Sequence, residues 1–369
     1  MTVTTTSPAP PGAEDSGAPA KPPGGPAWAV FLLHRWALWA WIAYVALGAG
    51  LLLWAWGPAV NELSSTAATC ELGGRGEPHC AQRLYEDLTS YQEFMRLGFF
   101  AVLGAPLLVG AWAAASLTAR EMETGTADLA WTQSVPPARW LTAKLALPAV
   151  AVTAGITLLL ALYRLAHHAG VGLLTDIRQW APSWWNEDVF TALGVVMVPR
   201  MLCAVAVGVL LGLLLKRTLA SLGTGLVLMG AGTSALVLGR RFLWPAEIRY
   251  GRENATVSPY TNLTPTDWQV ASGAVTESGE LVGEVGERAA YGCVETGYQE
   301  HRDTFDGDAY YSCLEDRGYT DVWVAHHPES HHWPLQFVES GIWLALAAAA
   351  VYLSYRVLRH RTAPREGAA

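Results

Sequence analysis

"AREMETGTADLAWTQSVPPARWLTAKL" occupies Ala119–Leu145, a charged and turn-broken stretch between two oily ones. To its left runs "LGFFAVLGAPLLVGAWAAASLT" and to its right "ALPAVAVTAGITLLLALY", both nearly free of charge. The island itself holds Arg120, Glu121, Glu123, Asp128, Arg139 and Lys144, the last being one of only three lysines in the chain. Apolar runs of that length predict helices that cross a bilayer, whose hydrocarbon core takes about 20 residues of helix. The island is then a connector held at one membrane face.

Composition extends this reading to the whole chain. Its 369 residues are 51% hydrophobic and only 15% charged, with 17 tryptophans. Soluble domains carry about 25% charged residues, so the deficit points to lipid. Six runs are long enough to span: Trp36–Trp56, Met95–Thr118, Leu145–Leu165, Val189–Leu215, Leu219–Gly239 and Leu335–Leu358. In the fourth, "VPR" at Val198–Arg200 is an interruption. The expected fold class is an all-α integral membrane protein of six transmembrane helices. Residues 1–26, rich in Pro, Gly, Ala and Thr, have almost nothing to bury and read as a disordered tail. No basic start leads into a short apolar region with a cleavage site, so this stretch is not a signal peptide. "WAVFLLHRW" at Trp28–Trp36 is either an interfacial elbow or a ragged helix start. Residues 27–239 hold the first five spans with the loop 119–144, residues 335–358 the sixth, and 359–369 a tail.

Lysine and arginine near span ends set topology. With the N-terminus cytoplasmic, the inner segments hold Lys21, Arg35, Arg120, Arg139, Lys144, Lys216, Arg217, Arg356, Arg359, Arg361 and Arg365, against ten basic residues on outer segments about twice as long. "RR" at Arg240–Arg241 runs against this orientation, but the balance places both termini in the cytoplasm. Residues 240–334 then form a small, loop-rich extracellular domain, too small for an ordinary catalytic core. Cys70 and Cys80 fall in the first outer loop, Cys293 and Cys313 in the long last one, and Cys203 in the fourth span. Locally closing disulfides, Cys70–Cys80 and Cys293–Cys313, suit an oxidising compartment; four free thiols are the alternative.

Within the island, Gly125 suits a helix C-cap and Thr126 can cap a short helix with Asp128 in its first turn. Leu129, Trp131 and Gln133 lie on its body. Ser134, Pro136 and Pro137 then stop and restart the chain before the third span. A tidy intracellular connector would need no more than this.

"REMETGTADLAWTQSVPPARWLTAKL", "GVLLGLLLKRTLASL" (Gly208–Leu222) and "HPESHHWPLQFVESGIWLALAA" (His327–Ala348) together resemble actinobacterial type-2 ABC transporter permeases. The resemblance covers most of the chain from the second span onward. Where such permeases carry one basic residue and an aromatic before the last span, this chain has His331, His332 and Trp333. The resemblance implies a six-span fold with inside termini. It also implies that the island, through Glu121, Glu123, Gly125, Asp128, Leu129, Trp131 and Gln133, is a coupling helix docked into a separate ATPase that binds ATP and Mg. The expected function is the permease subunit of an exporter at the cell membrane, working with a second permease copy or paralogue. No P-loop exists here: no lysine follows glycine as G-x-x-x-x-G-K-[ST] requires. The chain is therefore not itself the enzyme, and neither a cofactor nor nucleic acid is expected. A non-transporting anchor or sensor with a ligand-binding extracellular domain is the rival.

Other chemistry is thin. "HHPESHH" (His326–His332) has imidazoles enough for zinc or copper, but Pro328 forbids a regular helix and an interfacial loop is expected, with no metal. "DTFDGD" (Asp303–Asp308) lacks calcium-loop spacing. "HRD" (His301–Asp303) has no ATP site beside it, and the sequons at Asn254 and Asn262 act only in a glycosylating host. Neither H-E-x-x-H nor G-x-S-x-G occurs. Charges inside spans are costly and mark function more often than chance: Arg164, Arg200 and Glu339. At about 1.5 Å per residue, Arg200 lies roughly 24 Å from Lys216 and Glu339 roughly 25 Å from Arg356, depths at which they can pair. Arg164 is expected to snorkel outward with His167 and His168. Small residues line span four at Ala204, Gly208 and Gly212 and span five at Ser221, Gly225 and Gly230, faces that let helices approach closely and predict packing within the subunit rather than a pore.

Overall fold

A computed structural model describes residues 35–72, 78–132, 136–176, 183–254, 266–297 and 305–362. Among these described residues six helices are long and apolar enough to cross a membrane: Arg35–Cys70, His79–Glu123, Pro137–Leu173, Met197–Leu215, Thr218–Phe242 and Glu329–Thr362. Five overlap the expected spans closely, and several run well past them. The first two extend into a helical hairpin whose ends are joined by the Cys70–Cys80 disulfide, with Cα atoms 5.7 Å apart. The first span widens into a π-helical turn at Ala55–Ala59 around Pro58, since proline brings no N–H to the helical ladder.

The fourth span differs from expectation. Val189–Leu215 is not one helix. A short helix, Glu187–Leu193, ends at Gly194, and a new one starts at Met197. "VPR" is not the interruption: Pro199 sits in the first turn of the second piece, where a missing N–H costs nothing. That second piece is the centre of the bundle, with Arg200, Cys203, Ala204, Gly208 and Gly212 all buried. Lys216, in left-handed conformation at φ 55°, turns the chain at once into the fifth span.

The long last connection is not loop-rich among its described residues. It contains a four-stranded antiparallel sheet, order β1-β4-β2-β3, made of β1 (Glu247–Tyr250), β2 (Trp268–Thr276), β3 (Leu281–Val282) and β4 (Tyr319–His327). At Gly273 a side chain would collide with the Val282 carbonyl and the Trp323 ring, so the β2–β3 approach requires glycine. Helices Glu284–Gly297 and Gly307–Glu315 pack on the sheet. A core of Ala290, Cys293, Tyr310, Tyr311, Leu314 and Val322 lies there, and the Cys293–Cys313 disulfide ties the two helices together. Toward the bundle, Trp184 donates through Nε1 to the Thr266 carbonyl at 2.7 Å and meets Trp268 and His332 edge-on.

"HHPESHH" is likewise no interfacial loop. His326 and His327 end β4, Glu329–His331 is a single 3-10 turn, and His332 opens the last helix.

Candidate coupling surface and intramembrane charge network

Within the described residues the island folds as helix, turn, helix, and the third-span helix starts at Pro137. Arg120–Glu123 ends the second span, Gly125 follows at φ 71°, and the short helix is Thr126–Thr132. Glycine is needed at that left-handed step because a β-carbon there is strained. Thr126 is the first helical residue rather than the cap, and its hydroxyl pairs with that of Thr124 at 3.0 Å. The short helix is seated by Ala127, fully covered in a cluster with Leu117, Trp140, Leu141, Leu213 and Leu358.

Three of the residues expected to face a partner are committed internally. Glu121 accepts from Trp140 Nε1 at 3.2 Å and from the Lys144 ammonium, which is itself buried over the Trp140 ring. Glu123 Oε2 accepts from the amide and the hydroxyl of Thr218, at 2.9 and 2.6 Å. Thr218 opens the fifth-span helix, so this carboxylate satisfies an end amide and complements the helix dipole. Trp131 is half-buried, edge-on to Trp140 with centroids 5.7 Å apart. The outward face is left to Asp128 and Leu129, both exposed, Leu129 to 60%. Gln133 lies outside the described residues.

At the opposite end of the bundle four charges are gathered, three of them buried and Glu187 partly exposed. Arg200 Nη2 lies 2.8 Å from Glu339 Oε1, both side chains fully buried. Arg240 Nε reaches the other oxygen of Glu339 at 3.1 Å, and its Nη1 reaches Glu187 at 2.7 Å. Two carboxylates thus face two guanidiniums, the balance that burial of charge demands. Trp343 and Phe190 rings lie against Arg200 and Arg240. Arg164 does not snorkel: it turns inward and donates to the Gly194 carbonyl at 2.8 Å, at the break in the fourth span.

A second side chain, Gln336, bridges that break. Gln336 Oε1 accepts from the amides of Val195 and Val196, and its Nε2 donates to the Phe190 carbonyl at 2.6 Å. An interrupted helix strands just such groups, and lipid cannot satisfy them.

Residues 42–241 match the family model described as ABC-2 membrane transporter related. The chain belongs to this family. The match runs from within the first span, through the island, to Arg241 near the end of the fifth, and stops before the sheet and the sixth span. No curated protein and no solved structure matches. The chain is thus a multi-pass membrane protein of the ABC-2 permease family, whose members are membrane subunits that work with an ATPase subunit.

Within this permease, sequence reasoning missed Glu187, Arg240 and Gln336. Glu187 and Arg240 look like loop charges, and Gln336 like an ordinary interfacial amide. The one available signal was Arg240 itself, an arginine pair on the wrong side of the charge balance. Among the described residues no group of three or more His, Cys, Asp or Glu is placed to hold a metal. His326 and His327 point to opposite sides of β4, as strand alternation requires. His327 Nε2 faces the Arg241 carbonyl at 3.1 Å and so carries the proton; its Nδ1 then accepts from His331 Nδ1, also at 3.1 Å. Burial, reinforced by Arg249, holds the His326 imidazole below its ordinary range. Burial does the same to His327, with His331 and His326 beside it and the Arg241 hydrogen bond opposing.

Proposed function

We propose that this permease serves an exporter and takes its drive from a separate ATPase docked on the outward face of the Thr126–Thr132 helix. The observation carrying this reading is the contrast across that helix. One side is anchored by Ala127 and Trp131, while Leu129 stands 60% exposed beside Asp128. An isolated leucine on a helix fixed this firmly is suited to a hydrophobic cleft of a partner. Force applied there has rigid routes onward, through Glu121 to the third span and through Glu123 to the fifth. In this arrangement the island and both termini are cytoplasmic and the sheet is extracellular. The two disulfides lie at the end away from the island, as expected where that end meets an oxidising compartment. ATP and Mg belong to the ATPase, and a second permease copy or paralogue completes the pathway across the cell membrane.

Leu129→Ala with Asp128→Lys should reduce copurification of the ATPase at least tenfold, leaving membrane insertion and the thermal midpoint of the permease unchanged. Retention of the ATPase and of transport in that double variant would refute docking at this face.

A further inference from the structure

A groove of about 500 Å³ opens between the first three spans on the half of the bundle nearest the island. Its rim carries Leu108 and Leu147, both exposed, and its floor is Val109, Leu117 and Val152, all buried. The volume lies within the range of small-molecule sites, about 300–1,000 Å³.

The lining is hydrocarbon, and the polar tips along it are spent elsewhere. Trp41 donates through Nε1 to the Ala151 carbonyl at 3.1 Å, and Tyr44 donates to the Ala101 carbonyl. The two rings stack on each other, 5.6 Å apart. Trp41 lies so close to the third span that a methyl group at Gly155 would come within 2.7 Å of its Nε1. The wall is therefore preformed, and it offers no hydrogen bond to orient a polar ligand.

Height decides the occupant. Lining residues run from Ala37 to Tyr44 on the first span and from Leu108 to Leu117 on the second. At about 1.5 Å per residue this is roughly 10–14 Å, close to one leaflet of a hydrocarbon core about 30 Å thick. A helix of a second copy would need a contact running the full depth of the membrane. Arg35, exposed and two residues before the first lining residue, puts a cation at that end of the first span, suited to a phosphate headgroup. We propose that the groove holds one acyl chain of a phospholipid from the leaflet on the island's side. This rests on the membrane embedding and not on the coupling reading.

The test uses the full chain in nanodiscs of phosphatidylcholine and phosphatidylglycerol doped with a phospholipid bearing a diazirine on its acyl chain, crosslinks being mapped by mass spectrometry. Crosslinks should concentrate at Leu38, Leu108 and Leu147 beyond those at Val150 and Val227, which are 70% and 68% exposed on outward faces. Ala151→Phe, or Ala40→Phe should the first fail to fold, should cut groove labelling about tenfold and leave Val227 labelling intact. Labelling that follows exposure alone, or that neither substitution changes, would overturn the proposal.

Discussion

Arg240 and Arg200 bind opposite oxygens of the same buried carboxylate, Arg240 at 3.1 Å from Glu339 Oε2 and Arg200 at 2.8 Å from Oε1. Glu339 on the sixth span is therefore the shared partner of the fourth span and the end of the fifth, and its loss leaves Arg200 buried without a carboxylate while Arg240 keeps Glu187.

This asymmetry sets the outcome of a double-mutant cycle. Glu339→Gln should destabilise by about 3–5 kcal/mol, the cost of breaking a buried ion pair from one side. Arg200→Gln should cost less, because Arg240 still neutralises Glu339. The double variant should be milder than the sum of the two singles. Thermal midpoints in detergent measure all three, and strict additivity would mean that the residues do not interact.

Gln336→Leu removes three hydrogen bonds at once and strands the amides of Val195 and Val196 in the broken span, while the Phe190 carbonyl keeps the Gly194 amide. Each stranded buried group costs about 1–3 kcal/mol. Gly194→Ala should act in the same direction, since its methyl would lie 2.0 Å from Gln336 Nε2. The two changes combined should be less than additive, because either one alone already displaces the amide. Thermal unfolding checks this, and full stability of Gln336→Leu would show that the break is satisfied by other groups.

The cysteine pairs predict a labelling pattern. In the native protein a maleimide should leave Cys70, Cys80, Cys293 and Cys313 unmodified until a reductant is added, and Cys203 should stay protected by burial. Replacing Cys293 and Cys313 by serine should lower stability by about 2–4 kcal/mol. Prompt modification of Cys293 without reductant would count against its pairing.

The sheet-to-span junction should be acid-sensitive. His326 and His327 have folded-state values held below the ordinary 6.5 by burial. The unfolded chain then takes up protons first, so stability falls as pH drops through about 6.5 and goes on falling until the depressed values are passed. A second proton on His327 would also set two N–H groups face to face across its contact with His331. Thermal midpoints between pH 8 and pH 5 should decline, and His326→Gln should flatten the decline. A midpoint unchanged over that range would exclude linkage at these histidines.

Membrane embedding, the number of spans and the local disulfides were legible in the sequence because each depends on residues near one another. A span is a matter of apolar length against bilayer thickness, and Cys70 and Cys80 close a loop of ten residues. The helix–turn–helix course of the island was legible for the same reason, as Gly125 and the Pro136–Pro137 pair punctuate the chain locally. The depth argument reached Arg200 and Glu339 because helical rise converts sequence position into height. It could not say which faces turn toward each other, so Arg240, 99 residues before Glu339, and Gln336, more than 140 after Phe190, were beyond it. Nor could it show that Glu123 is consumed by Thr218 or Glu121 by Lys144, leaving Asp128 and Leu129 to face outward. Apolar length is a property that each segment has against the solvent; polar pairing belongs to two surfaces at once, and only their packing decides it.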